Sequence, residues 1–153
     1  MQRQTVDEEL QAMRDREAIR AVIANYCRGV DMKDKALFLS LWEPDARWTF
    51  SEPFQSLSAS GLQEIERAIE GIWTTNKETY HYTCNSIITL RGDEAESVSD
   101  VLALGIDAKD RLTLIAASYH DRFRRGGDGA WRFAERRIQL HRSLGLGQAR
   151  YLF

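Results

Sequence analysis

Cysteine is scarce: the 153 residues hold two, Cys27 and Cys84. They form no CxxC pair and no zinc-ligand spacing, and two distant cysteines build no disulfide framework. Both read as reduced thiols in a core, so a cytoplasmic protein is expected. Proline is as scarce, with two residues, and no low-complexity tract or repeat breaks the chain. No linker divides it, and a single domain over 1–153 is expected. No stretch approaches the roughly 18 apolar residues of a membrane-spanning helix. The opening "MQRQTVDEELQAMRDRE" is too charged for a secretory signal. Charge of one sign is also missing: 21 Lys and Arg against 23 Asp and Glu leave a net −2. No basic excess argues for nucleic acid or an anionic membrane. The runs "RFRR" at 122–125 and "RFAERR" at 132–137 alternate with apolar residues, as on strands with one wet face.

What is present is a core's worth of apolar residues, 43% of the chain, enough for one globular domain. "TVDE" is a capping box that starts a helix at Thr5. Leu10, Met13, Ile19, Val22, Ile23, Tyr26, Cys27 and Val30 then recur at helical spacing. A short helix over about 34–42 follows, capped by Asp34 and stopped by "EPD" at 43–45. "ARWTF" at 46–50 alternates like a strand. A third helix over 60–73 carries Leu62, Ile65, Ile69, Ile72 and Trp73 on one stripe, with Ser60 and Gln63 as a second capping box. The period then becomes two. Strands are predicted over 79–90, 96–106, 112–125 and 130–142, separated by the turns "RGDE", "DAKD" and "GGDG". Helices first, then an antiparallel meander, define an α+β class. Such a curved sheet closed over by helices forms a cone with an internal pocket.

Three residues fit a bland core poorly. Asp31 lies four after Cys27 and eight after Ile23, on the stripe that faces inward. It also stands at a helix C-terminus, where the dipole disfavours a carboxylate. A frayed helix end with Asp31 in a solvated turn is the simpler reading. His81 shares a strand face with Thr79, Thr83, Asn85 and Ile87, against Tyr80, Tyr82, Cys84, Ser86 and Ile88 on the other. Neither face is cleanly apolar, so alternation leaves its direction open. Arg136 shares the more apolar face of its strand with Ala134, Ile138 and Leu140. A buried arginine needs an anion: a leaving group, a carboxylate such as Asp31, or a structural glutamate. Tyr119 and Trp48 line either a pocket or the core. An aspartate–histidine pair makes a general base. No nucleophile elbow and no metal constellation is visible, which leaves acid–base chemistry without a covalent intermediate. No cofactor is expected.

"AIRAVIANYCRGVDMKDKALFLSLWEPDARWTF" resembles the opening of the SnoaL-like branch of the nuclear transport factor 2-like (NTF2-like) superfamily, and "YHDRFRRGGDGAWRFAERRI" its closing hairpin. The resemblance covers about residues 15–140. It implies a cone of three N-terminal helices in a strongly curved, mixed, mostly antiparallel sheet. Around "GVD" and "HY" the chain is similar to the scytalone dehydratases and the hexachlorocyclohexane dehydrochlorinases. That likeness implies a dyad of Asp31 and His81, with Arg136 at the dehydrochlorinase arginine. The chain departs from both groups. Two dehydratase tyrosines fall on Val30 and Phe50, a second histidine near 101–103 has no counterpart, and a dehydrochlorinase lysine falls on Tyr26.

The function expected is that of a cofactor-independent lyase, of dehydratase or dehydrohalogenase type. His81 would take a proton, Asp31 would hold it, and Arg136 would steady the developing charge. Tyr26, Trp48, Phe50, Tyr119 and Val101 would wall a small, cyclic, mostly apolar substrate. Two alternatives share the fold: a non-catalytic binding or assembly subunit like those of ring-hydroxylating dioxygenases, and a polyketide cyclase or ketosteroid-isomerase-like enzyme. The resemblance also implies a homo-oligomer, dimer or trimer, through the outer sheet face. The apolar "LGLGQARYLF" at 144–153 is expected to cover a pocket mouth or a neighbouring subunit.

Overall fold

The computed structural model describes residues 5–148. Helix α1 (Val6–Asp31) opens on the expected capping box. Thr5 Oγ1 accepts from the Glu8 N–H at 3.3 Å, and Glu8 Oε2 accepts from the Thr5 N–H at 2.8 Å. The helix does not fray at Gly29. It continues to Asp31, with Met32 as its C-cap. The first turns stand clear of the core: Leu10 and Met13, expected on the buried stripe, are exposed, and inward packing becomes continuous only from Ile19. Gly29 has a packing reason. A Cβ there would lie 3.0 Å from Cα and Cβ of Phe38 on helix α2 (Lys35–Ser40). Asp34 caps α2 as expected, accepting from the Leu37 N–H at 2.9 Å.

"EPD" does not end the second helix in a loop. It lies inside strand β1 (Trp42–Phe50), where an irregularity between Trp42 and Arg47 absorbs it. A two-residue strand β2 (Ala59–Ser60) leads into helix α3 (Leu62–Thr75). The second capping box is not formed. Gly61, at φ 78°, is the N-cap, and Glu64 rather than Gln63 accepts from the Ser60 N–H, at 2.9 Å. Ile65 and Ile69 are fully buried on the expected stripe.

The meander follows as β3 (Asn76–Arg91), β4 (Glu94–Asp107), β5 (Arg111–Arg125) and β6 (Trp131–Gln148). Sheet order is β2-β1-β6-β5-β4-β3, with β1 and β6 parallel and the other pairs antiparallel. The sheet is curved and unclosed, and β3 is its free edge. Helix α1 packs along that edge. The concave face holds the core, in which Tyr26 meets the rings of Phe38, Trp42, Trp48, Tyr119 and Phe133 at 5.6–6.2 Å between centroids. Such edge-on contacts each add about 0.5–1.5 kcal/mol beyond area burial. Among the described residues, no helix is long and apolar enough to cross a membrane.

One local feature explains why alternation fails on β3. Asn85 adopts φ 54°, and the pairing with β4 shifts between Cys84 and Ile87. This bulge exchanges the two faces of the strand. Thr79, His81 and Thr83 point inward before it, and Ser86, Ile88 and Leu90 after it. Each apparent face is therefore half inward and half outward.

Candidate active site

The last turn of α1 and the first half of β3 face each other, and Asp31 meets His81 between them. The imidazole Nδ1 lies 2.6 Å from Asp31 Oδ1. With the carboxylate oxygen as the acceptor, Nδ1–H is the donor of this bond. The same carboxylate accepts from the His81 backbone N–H at 2.8 Å (Oδ2) and from the Thr79 hydroxyl at 3.0 Å (Oδ1). Three donors thus compensate the unfavourable helix terminus. They also fix the ring's orientation, and in the neutral imidazole a proton on Nδ1 leaves the lone pair on Nε2. Both side chains keep a little exposure, 15% for His81 and 18% for Asp31. The helix end is anchored from outside: Trp73 Nε1–H donates to the Val30 carbonyl at 2.9 Å, and Lys33 Nζ to the Trp73 and Asn76 carbonyls.

Asp31 and His81 line an open groove of about 750 Å³ between α1 and the β3 edge. Ile23, Cys27, Arg28, Tyr82 and Thr83 line it as well. The Cys27 Sγ lies 3.2 Å from Thr83 Oγ1. Burial pushes the Cys27 thiol up, away from the thiolate.

The other expected residues occupy a different layer. Tyr26, Trp48, Tyr119 and Val101 are packed in the core, Phe50 packs against it, and none of them lines the groove. Tyr26 stands directly behind His81, 6.4 Å between ring centroids and edge-on. Burial pushes both the Tyr26 and Tyr119 hydroxyls up, so they are neutral. Arg136 is not on the groove either, nor does it pair with Asp31 or a glutamate. It is fully buried in a two-bond pair with Asp121, at 2.8 Å from Nε to Oδ1 and 2.7 Å from Nη2 to Oδ2. Its Cζ lies 4.0–4.3 Å from the ring centroids of Tyr26, Tyr119 and Phe133. Burial alone would pull the guanidinium down, but Asp121 outweighs it and holds Arg136 above its ordinary value. Arg136 Nη1 has no acceptor among the described residues, nor do the indole N–H groups of Trp42 and Trp48.

Sequence reasoning missed Asp121 and Thr79. The turn alone did not give Asp121: a hairpin centred on "GGDG" sets residue 121 opposite 134, and the register shift between Arg122 and Phe123 brings it opposite Arg136. Thr79 carries no signal beyond sharing a strand face with His81.

Residues 11–137 match the family model of the SnoaL-like domain. A type 2 hexachlorocyclohexane dehydrochlorinase, LinA, superposes with a TM-score of 0.83 at 27% identity, over 94% of this chain and 96% of its own. A scytalone dehydratase-like protein from Novosphingobium aromaticivorans DSM 12444 gives 0.79 at 25% identity, over 95% and 94%. A further LinA structure gives 0.83 at 26% identity, over 94% and 97%. No curated protein matches the chain by sequence.

Proposed function

Because the chain belongs to the SnoaL-like family, whose solved relatives here include a dehydrochlorinase and a scytalone dehydratase-like protein, we propose that it is a cofactor-independent lyase. In this reading His81 Nε2 removes a proton from a carbon next to a leaving group or a carbonyl. Asp31 keeps Nδ1 protonated and balances the imidazolium as it forms. The observation that carries the proposal is the 2.6 Å contact between Asp31 and His81 on the wall of an open groove. Proton transfer by such a pair is worth about 10²- to 10⁴-fold in rate. Arg136, sealed against Asp121 behind the groove wall, stays out of contact with the substrate in this reading.

The test is elimination from cyclic carbon acids bearing a β-hydroxyl or β-halide, followed in D₂O so that proton exchange is scored with product. His81→Ala abolishes both while its thermal midpoint stays near that of the parent chain. Full activity in that variant refutes the assignment. A specific observation favours a second reading, a non-catalytic assembly subunit: the inner layer of Trp48, Tyr119 and Phe133 is packed rather than hollow. Stable capture of a larger metal-bearing partner, with no turnover on any substrate, would favour it.

A further inference from the structure

The groove is lined by two arginines and one carboxylate. Its one carboxylate, Asp31, already accepts three hydrogen bonds. Its two cations are not neutralised. Arg28 forms no ion pair among the described residues. Arg20 reaches only Glu17, at 3.8 Å with both ends at least half exposed, a pair of little strength. Positions 20, 24 and 28 fall on one helix face, and the small Ala24 between the arginines also lines the groove. The opposite wall is the free edge of the sheet. The His81 N–H points away from β4, toward Asp31. By the alternation of an antiparallel ladder, the Thr83 N–H and C=O two residues on face the same way, so the edge adds donors and acceptors alike. A chain of net charge −2 thus lines its dyad-bearing groove with two arginines against one carboxylate, and Arg28 has no ion-pair partner among the described residues.

We propose that the groove selects an anionic substrate, a cyclic carbon acid whose carboxylate is held by Arg28 while His81 addresses the ring. This rests on the reading of His81 and Asp31 as the proton-transferring pair. Arg28 and Asp31 are three residues apart on α1, about 4.5 Å along its axis. A carboxylate held by Arg28 thus stays within the groove that His81 also lines. The planar guanidinium fork matches a carboxylate in two bonds. Arg20, two turns further along, supplies the longer-range attraction that draws the anion in.

The experiment uses the full chain and two probes of the same ring and similar planar head group, the anion cyclohexanecarboxylate and the neutral cyclohexanecarboxamide. Binding is followed through the His81 ring resonances by NMR. The carboxylate is expected to bind about tenfold more tightly, the low end for one charge-assisted hydrogen bond, with the advantage shrinking as salt rises. Arg28→Gln erases the difference, and the protonated Nδ1 signal of His81 persists as the check on folding. Equal binding of the two probes, or a preference that survives Arg28→Gln, overturns the inference and leaves the lyase reading standing. If neither probe moves the His81 resonances, the inference fails. If His81→Ala also eliminates at the parental rate, the lyase reading fails with it.

Discussion

Asp31→Asn separates the catalytic use of the dyad from its structural use. The His81 backbone N–H is a donor that cannot rotate, and it meets Asp31 Oδ2 at 2.8 Å. The amide oxygen of an asparagine must take that place. Its NH₂ group then occupies the position of Oδ1, facing the imidazole Nδ1 and the Thr79 hydroxyl, which stand 2.6 and 3.0 Å from it in the parent. Both can accept. Every hydrogen bond is kept, but those to the ring and to the Thr79 hydroxyl both reverse direction: Nδ1 loses its proton and Nε2 gains it. Exchanging charge-assisted bonds for neutral ones roughly halves their strength. At this partly exposed site the cost is about 1–2 kcal/mol, a fall in thermal midpoint of about 2–8 °C for a domain of this size. Turnover should fall far more, about 10⁴-fold as in another hydrogen-bonded aspartate–histidine pair, because the base is now protonated where it must accept. The assay is a ¹⁵N correlation spectrum of the imidazole, which distinguishes the two tautomers, read beside a melting curve. A variant that still carries its proton on Nδ1 would show that Asp31 does not set the tautomer.

Three further outcomes follow from the packing. Arg136→Met leaves Asp121 charged, buried and unpaired and should cost about 3–5 kcal/mol; adding Asp121→Leu should restore most of it, and a neutral single variant in chemical denaturation would refute the pairing. Gly29→Ala drives a Cβ to 3.0 Å from the Phe38 backbone and should cost about 1–3 kcal/mol, read as a lower midpoint with α-helical content unchanged. The outer sheet face exposes Tyr82, Ile87, Val98, Leu102, Leu144 and Leu146; if it joins subunits, deleting 145–153 or introducing Leu102→Glu lowers the mass in solution, and an unchanged mass removes that idea.

The helices were legible because their signals are local: a capping box at Thr5 and an inward stripe from Ile19 onward. The stripe failed at Leu10 and Met13 because periodicity says which residues share a face, not whether anything lies opposite. Asp31 stood out as a carboxylate that broke an apolar pattern, but its pairing with His81 came from the family resemblance and not from the residues alone. The simpler solvated-turn reading is displaced by three donors from β3 that no local window contains. Arg136 was recognised as a buried cation, but its partner depended on hairpin register. The substrate-lining expectation for Trp48, Tyr119 and Val101 and the observed core differ because an aromatic on a concave sheet face looks the same whether the space before it is empty or filled. The last residues of "LGLGQARYLF", 149–153, lie outside the described structure, so that expectation meets no observation there.

A strand at the end of a sheet is a template on which another chain can build, and long ones invite fibrils. β3 is such a strand, 16 residues long, with tyrosines and β-branched residues along it. The carboxylate of Asp31 takes the His81 amide that an incoming strand would need, and the body of α1 stands in its path. The group proposed to orient the base therefore also occupies a backbone donor of the edge strand. Loss of Asp31 should carry two phenotypes at once, a silent active site and a sticky edge, and selection for clean folding would preserve the dyad's geometry in a descendant that had given up its chemistry.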